Sequence, residues 1–180
     1  MVLATLRTHW KKSIFFSGVA IYAGRYGQSK WQDYQLMRIY AAEASKYGNL
    51  PTFSSVAKNY HVTVVLNPAA SGGSAKKKFE ETCAPLLNLA GFKVSVIRTE
   101  GQGQAKEIME IMDDTDAVLI GGGDGTLMEA VTGLLRRKDA SELARTLPIG
   151  VLPIGENNSM AKFLFPDTQR SDCWIVKTVF

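Results

Sequence analysis

The chain has 180 residues, of which 46% are hydrophobic and 21% are charged, with a formal net charge of +4 at pH 7. This composition is typical of a soluble α/β domain that buries a core and carries a short additional segment. The basic residues are scattered and no nucleic-acid-binding motif is present, so we expect no nucleic acid partner; two isolated cysteines indicate neither a zinc site nor a disulfide framework.

The first thirty residues differ in composition from the rest of the chain. Basic residues occur here with no acidic residue before Asp33, and an apolar stretch runs from Ile14 to Ala23. The stretch is shorter than the ~20 apolar residues that cross a bilayer, and no clear cleavage site marks a secretory signal. The pattern favours a mitochondrial presequence or a short membrane anchor over an ordinary packing helix, and it leaves spanning and interfacial binding open.

A helix and a linker are predicted between Gln32 and Ala57, where tyrosines and alanines recur at helical spacing before an Asn-Leu-Pro-Thr segment. We therefore divide the chain into two parts. Residues 1–59 form a targeting or membrane-anchor segment with its helix and linker, and residues 60–180 form a folded domain.

Strands and helices alternate along the folded domain. The predicted strands are His61–Leu66, Phe92–Thr99, Ala117–Ile120 and Pro148–Leu152, and the predicted helices are Ser74–Ala90, Gln104–Met112 and Leu127–Arg136. Strict alternation predicts a parallel sheet covered by helices on both faces, which is a three-layer α/β domain. Ligands of such sheets bind at the carboxyl ends of the strands.

Each predicted strand is followed by a loop of small or polar residues, and the third loop is the most informative. It runs Gly121-Gly122-Gly123-Asp124-Gly125-Thr126 between a strand and a helix. Glycines allow backbone N–H groups to approach an anion, and the following helix directs its positive end to the same place. Thr126 and Glu129 also fit a capping box, which is the ordinary structural interpretation of that helix start.

The loop matches neither of the common nucleotide motifs. It lacks the G-x-x-x-x-G-K-[ST] pattern of the Walker loop, and a dinucleotide fingerprint would need a further glycine near Met128. The sequence therefore predicts a nucleotide site of another design.

Four motifs carry a family resemblance. They are Asn67-Pro68, Thr99-x-x-x-Gly103-x-Ala105, Gly122-Gly123-Asp124-Gly125-Thr126 and Pro153-x-Gly155-x-x-Asn158. In order and spacing, from about Val62 to Leu164, the chain resembles the catalytic domain of diacylglycerol, sphingosine and ceramide kinases. Ala69-Ala70, Glu156 and the basic, apolar N-terminus are most similar to the mitochondrial acylglycerol branch of that family.

The resemblance implies transfer of the γ-phosphate of ATP, with magnesium, to the hydroxyl of mono- or diacylglycerol, forming lysophosphatidate or phosphatidate. It implies that Asp124 is the catalytic residue, as a general base or as an organiser of the phosphate loop. The nucleotide-binding residues that it implies are Asn67, Thr99, Gly122, Gly123, Asp124, Gly125, Thr126, Gly155 and Asn158. The metal ligands stay unassigned.

The chain departs from the family pattern in several places. Ser71 and Gly72 stand where many members carry Gly-Lys, which removes a cation that Lys76 to Lys78 could replace, unless those lysines form a solvated face. Glu156 replaces a Thr or Ser and would contact ribose, magnesium or solvent. The β-rich lipid domain of the family is expected to be absent, and little or no lipid-kinase activity is expected of this chain alone.

Two alternatives remain open. A kinase similar to NAD kinases or phosphofructokinases shares the Gly-Gly-Asp-Gly turn but is not expected to carry the Asn67-Pro68 motif. The other alternative is a non-catalytic membrane subunit associated with the mitochondrial inner-membrane protein translocase, a role that the family resemblance implies for the N-terminal segment. The family resemblance implies a mitochondrial location, at the inner membrane or in the intermembrane space.

Overall fold

The computed structural model describes residues 10–48 and 60–165. The chain divides into two compact units with the boundary between Arg38 and Ile39. The predicted linker before residue 60, the boundary proposed after residue 59, and Cys173 lie outside the described residues.

The secondary structure elements follow the predicted alternation. The helices are α1 Trp10–Gly48, α2 Ala75–Lys78, α3 Ala84–Leu89, α4 Gln104–Ile111, α5 Asp124–Arg136, α6 Ala140–Thr146 and α7 Ser159–Leu164, and a π-helical segment, Phe79–Cys83, joins α2 to α3. The strands are β1 His61–Leu66, β2 Lys93–Arg98, β3 Ala117–Gly122 and β4 Ile149–Pro153.

The four strands form one parallel sheet in the order β2-β1-β3-β4. From β1 the chain connects to its neighbour β2 on one side, and from β2 it crosses back over β1 to β3 on the other side. The connections that follow β1 and β3 therefore run in opposite directions along the sheet. This reversal is the topological switch point, where loops part and open a crevice for a ligand.

The sheet has an apolar core on each face, because successive side chains of a strand point to opposite sides. Val64 and Leu66 of β1 belong to a core with Phe79 on the side of α2 and α3. Val65 belongs to a second core with Met109 on the side of α4 and α5. These two cores confirm the three-layer α/β fold.

The helix between β1 and β2 is interrupted by a π-turn that the sequence pattern did not predict. The Ala84 amide donates to the Phe79 carbonyl, one residue further back than in an α-helix. Pro85 follows within the first turn of α3. Because proline has no N–H and its ring clashes with the carbonyl four residues earlier, the wider turn lets the helix continue past it.

Cys83 lies in the π-turn and is buried. Burial raises the pKa of its thiol to about 12, so the thiol stays protonated and unreactive near neutral pH.

Other boundaries also differ from the prediction. Strand β3 continues to Gly122 and helix α5 begins at Asp124, three residues before the predicted Leu127. The predicted capping box at Thr126 is therefore wrong, because Gly123 occupies the N-cap position and Thr126 lies inside the first turn. Helix α6 was not predicted; it is short and buries none of its residues, so it has no apolar periodicity to detect.

Helix α1 contains both the apolar stretch Ile14 to Ala23 and the start of the helix predicted from Gln32, without a break between them. Its residues up to Gln32 are mostly exposed, whereas Ala44 is buried. Across residues 10–48 and 60–165, no helix combines the length and the apolar character needed to cross a membrane.

Candidate functional site

The loops that follow the four strands meet at the carboxyl edge of the sheet and line a cleft of about 760 Å³. Seven of the nine predicted nucleotide-binding residues line it: Asn67, Thr99, Gly123, Asp124, Gly125, Thr126 and Gly155. Gly122 and Asn158 do not line the cleft; they support the loops from behind. The cleft lies at the switch point between β1 and β3, as expected for a ligand site in an open parallel sheet.

Asn67 joins the first loop to the third. Its backbone amide donates to the Gly121 carbonyl at 2.8 Å, and its side-chain amide donates to Thr126 Oγ1 at 3.0 Å. Its Oδ1 accepts from the Ala69 amide at 3.1 Å, which closes a turn. Thr126 is buried, so its hydroxyl fixes loop geometry through Asn67.

Gly123 and Gly155 allow the third and fourth loops to touch through their backbones. A Cβ on Gly155 would lie 2.4 Å from the Gly123 Cα, and a Cβ on Gly123 would lie 2.8 Å from the Asn157 carbonyl oxygen. Gly155 also donates to the Gly122 carbonyl at 3.1 Å. No larger side chain fits at this contact without moving the backbone.

Gly125 differs from Gly123 and Gly155 because no close backbone contact requires a glycine at its position. A Cβ there would meet nothing within 4 Å, and the residue lines the cleft. It lies in the first turn of α5, where helix amides have no intrahelical acceptor. Within the part of the chain that the structure describes, the Asp124 amide donates to Asn157 and the Leu127 amide to Gly123, whereas the amides of Gly125 and Thr126 have no backbone acceptor.

Asp124 connects α5 to α7. One carboxylate oxygen accepts from the Ser159 amide at 2.8 Å and the other from the Met160 amide at 3.1 Å. These bonds, that of Ser159 first, lower the pKa of Asp124 below its ordinary value, because they stabilise the charged form. The carboxylate therefore caps α7 and at the same time faces the cleft.

Asn158 and Thr99 complete the loops around the site. The Asn158 side chain donates to the Gly155 carbonyl at 2.7 Å and accepts from the Gly155 amide at 3.2 Å, so it closes the fourth loop on itself. The amide of Thr99, a buried residue, donates to the Leu66 carbonyl at 2.9 Å. Both residues hold backbone in place.

The charged residues of the cleft are mainly acidic. Its lining contains four carboxylates and the guanidinium of Arg98; the carboxylates belong to Glu100, Asp124, Glu129 and Glu156. Arg98, at the end of β2, lies 3.4 Å from Glu80. Sequence reasoning did not select Arg98, for which the only signal was its place at the carboxyl end of β2. It named Ser71 only as a departure from the family pattern, and Ser71 also lines the cleft.

No group of three acidic, histidine or cysteine side chains within residues 10–48 and 60–165 is placed to hold a metal ion. Magnesium in phosphate-transfer sites is commonly bound by one or two carboxylates together with the phosphates. Asp124 and Glu129 both face the cleft from α5. These donors fit an ion that binds together with a nucleotide.

Fold and site together define an α/β protein with a glycine-lined cleft at the switch point of a parallel sheet. Residues 61–177, more than half of the chain, match the family model described as "Diacylglycerol kinase catalytic domain". The chain belongs to this lipid kinase family, and the resemblance expected from its four motifs is confirmed.

The relatives place the chain within the family more narrowly. It is 41% identical over 166 residues to "Acylglycerol kinase, mitochondrial" of Homo sapiens, covering 91% of this chain and 38% of that protein. It is 40% identical to the protein of the same description from Xenopus laevis, covering 93% and 39%, and 38% identical to "Sphingosine kinase 1" of Arabidopsis thaliana, covering 61% and 23%. The chain thus spans less than two fifths of the length of these relatives.

Among solved structures, the chain is similar to a putative diacylglycerol kinase from Bacillus anthracis str. Sterne. The TM-score is 0.50 at 24% identity, covering 69% of this chain and 39% of that one. At this identity the likeness concerns the fold alone.

Proposed function

We propose that this chain is the ATP-binding part of a mitochondrial lipid kinase that phosphorylates the hydroxyl of mono- or diacylglycerol. The observation that carries the proposal is the start of α5, where the amides of Gly125 and Thr126 have no backbone acceptor among the described residues and the adjoining glycines open onto the cleft. Helix N-termini of this kind bind phosphate. Family membership and similarity to acylglycerol kinases support the choice of acceptor.

In the proposed site the phosphates lie against the first turn of α5. Asn67 keeps Thr126 in place, and the contact between Gly123 and Gly155 keeps the third and fourth loops together. Magnesium bound with the nucleotide would neutralise phosphate charge, with Asp124 or Glu129 as its carboxylate ligand. Catalysis at such a site consists mainly of positioning and charge stabilisation.

Asp124 has two proposed roles, general base and organiser. Each of its carboxylate oxygens already accepts a backbone hydrogen bond, and its lowered pKa makes it a weaker proton acceptor. These contacts favour the organiser. Asp124→Asn separates the roles, since an amide can still accept one of the bonds but cannot take a proton.

Gly125→Glu tests nucleotide binding. The new side chain enters open space and an acidic residue suits the first turn of a helix, so the fold is expected to persist while the carboxylate repels phosphate. We expect saturable MgATP binding by the wild-type chain in calorimetry and none by the variant. Equal binding by both proteins, with unchanged unfolding midpoints, would contradict the proposed site.

The acceptor is tested separately with γ-labelled ATP. Monoacylglycerol, diacylglycerol and sphingosine are offered in parallel, and the lipids are separated after incubation. Label in lysophosphatidate or phosphatidate supports the proposed acceptor and contradicts the expectation of little or no activity for this chain alone. Label in sphingosine phosphate with none in either glycerolipid product contradicts the proposed acceptor but not the nucleotide site.

A second candidate function is a non-catalytic membrane subunit associated with the inner-membrane translocase. It is favoured by α1, where Phe15, Phe16 and Tyr22 are each about two thirds exposed and basic residues accompany them without acid before Asp33. Exposed aromatic residues with basic neighbours are typical of segments that bind a membrane interface. If Gly125→Glu abolishes ATP binding while partner association in mitochondria persists, the two functions are separable.

A further inference from the structure

The three consecutive lysines on α2 differ in their surroundings. Lys76 Nζ lies 3.9 Å from Glu80 Oε1, and Lys77 Nζ lies 3.8 Å from Glu81 Oε1. Each pair spans one helical turn and is exposed to solvent. Lys78 is half-buried, and its Nζ donates to Ser71 Oγ at 2.9 Å. Two of the lysines thus form solvent-facing ion pairs, while the third reaches back to the first loop.

Ser71 lies on the wall of the cleft, together with Gly123 and Gly125. Its φ of 55° is in the left-handed region, and Gly72 and Gly73 continue with φ of 63° and 85°. A non-glycine residue in this region carries a conformational cost. In this conformation Ser71 lines the cleft while its hydroxyl oxygen accepts a hydrogen bond from Lys78.

The hydrogen bond from Lys78 determines what the hydroxyl can do. A serine hydroxyl has one hydrogen to donate and two lone pairs that accept. Because Ser71 Oγ accepts from the ammonium, its own hydrogen is available, and no acceptor for it is found within the described residues. The neighbouring positive charge makes that hydrogen a stronger donor.

The charge balance of the cleft creates a need for such a donor. Four carboxylates line the cleft with Arg98 as the basic residue of the lining, and Arg98 itself lies 3.4 Å from Glu80. A polyphosphate that enters these surroundings requires further positive charge close to its oxygens. Lys78 provides this positive charge, because its ammonium group is hydrogen-bonded to Ser71, which lines the cleft.

We propose that Ser71 is a phosphate-binding residue whose hydroxyl is oriented and polarised by Lys78, so that the pair binds the phosphate chain of the nucleotide opposite the start of α5. This inference rests on the proposed function and adds a residue pair to that site. Lys78 acts through Ser71 and is a positioning residue.

The test measures MgATP dissociation constants by calorimetry on the full chain. Lys78→Met removes the cation and keeps the length of the side chain; Ser71→Gly removes the hydroxyl at a φ that glycine favours. Lys77→Met is the matched control, since it removes the same charge one residue away. Unfolding midpoints verify that each variant is folded.

We expect Lys78→Met and Ser71→Gly each to weaken ATP binding about 10-fold, as loss of one charge-assisted hydrogen bond does. The double variant should be no weaker than either single variant, because both changes remove the same interaction. Lys78→Arg should restore most of the affinity, and Lys77→Met should change it less than twofold. The affinity for inorganic tripolyphosphate, measured by competition with ATP, should fall by the same factor as the affinity for ATP. Such a result would assign the effect to the phosphates rather than to adenine.

Four results would overturn the inference. Equal effects of Lys78→Met and Lys77→Met would mean that only net charge matters. Simple additivity in the double variant would mean that Ser71 and Lys78 act independently. Absence of ATP binding by the wild-type chain would remove the proposed function and this inference with it, whereas normal wild-type binding with unaffected variants removes the inference alone.

Discussion

Asp124 shows that one side chain of the phosphate loop also holds the fold together. Its carboxylate accepts two backbone hydrogen bonds at the start of α7, so Asp124→Ala should lower the free energy of unfolding by about 1 kcal/mol, as loss of a helix cap does. Asp124→Asn, with a good capping residue in the same place, should lower it less. Urea unfolding at pH 7 measures both differences.

The stabilisation by Asp124 depends on pH in a direction that its lowered pKa fixes. A carboxyl with a lower pKa in the folded state stabilises the fold above its unfolded pKa of about 3.9, and this stabilisation is lost as the pH falls through the folded value. The difference between wild type and Asp124→Ala should therefore be complete at pH 7 and shrink below pH ~4. A difference that grows on acidification would contradict the capping geometry.

The glycines of the third loop should respond oppositely to a single methyl group. At Gly125 a Cβ meets open space inside a helix, so Gly125→Ala should stabilise the chain by up to about 1 kcal/mol while narrowing the cleft. At Gly123 a Cβ meets the Asn157 carbonyl oxygen at 2.8 Å, so Gly123→Ala should destabilise it by about 1–3 kcal/mol. Thermal unfolding of the two variants measures whether each change raises or lowers the stability. Changes of the same sign in both variants would contradict the difference between open space at Gly125 and close contact at Gly123.

At the scale of elements, α1 owes little of its stability to packing before residue 33, where its side chains are mostly exposed. Gly24 and Gly27 lie in this part, and a Cβ on either meets nothing within 4 Å. Replacing each by alanine should stabilise the helix locally by about 1 kcal/mol, because glycine is a poor helix former. Amide hydrogen exchange in α1 should slow in Gly24→Ala and Gly27→Ala while exchange in β1 is unchanged; unchanged exchange in α1 would contradict an exposed, solvated helix.

The elements also show which local features a sequence pattern conveys. The bounds of β1 were predicted as observed, because a short, mainly apolar run rich in β-branched residues and followed by a turn is a strong strand signal. The π-turn before Pro85 and the early start of α5 were missed. Both depend on backbone hydrogen bonds, Ala84 to Phe79 and Leu127 to Gly123, that side-chain periodicity does not encode.

At the scale of the whole molecule, strand alternation was enough to predict the parallel sheet and the edge where its loops meet. It could not give the order β2-β1-β3-β4, so it could not show that the first and third loops flank the switch point. Nor could strand alternation show that the surroundings of Lys78 differ from those of Lys76 and Lys77. That distinction arises only when the first loop turns back towards α2 at Ser71.

The central claim is that the phosphates of a nucleotide bind at the start of α5. An amide NMR titration of the full chain with MgATP tests it most directly, because it reports on the backbone groups that would contact phosphate. The amide signals of Gly125 and Thr126, which have no backbone acceptor among the described residues, should shift in a saturable manner, and those of α1 should not. Saturable shifts confined to residues outside the cleft, or no shifts at all, would contradict the claim.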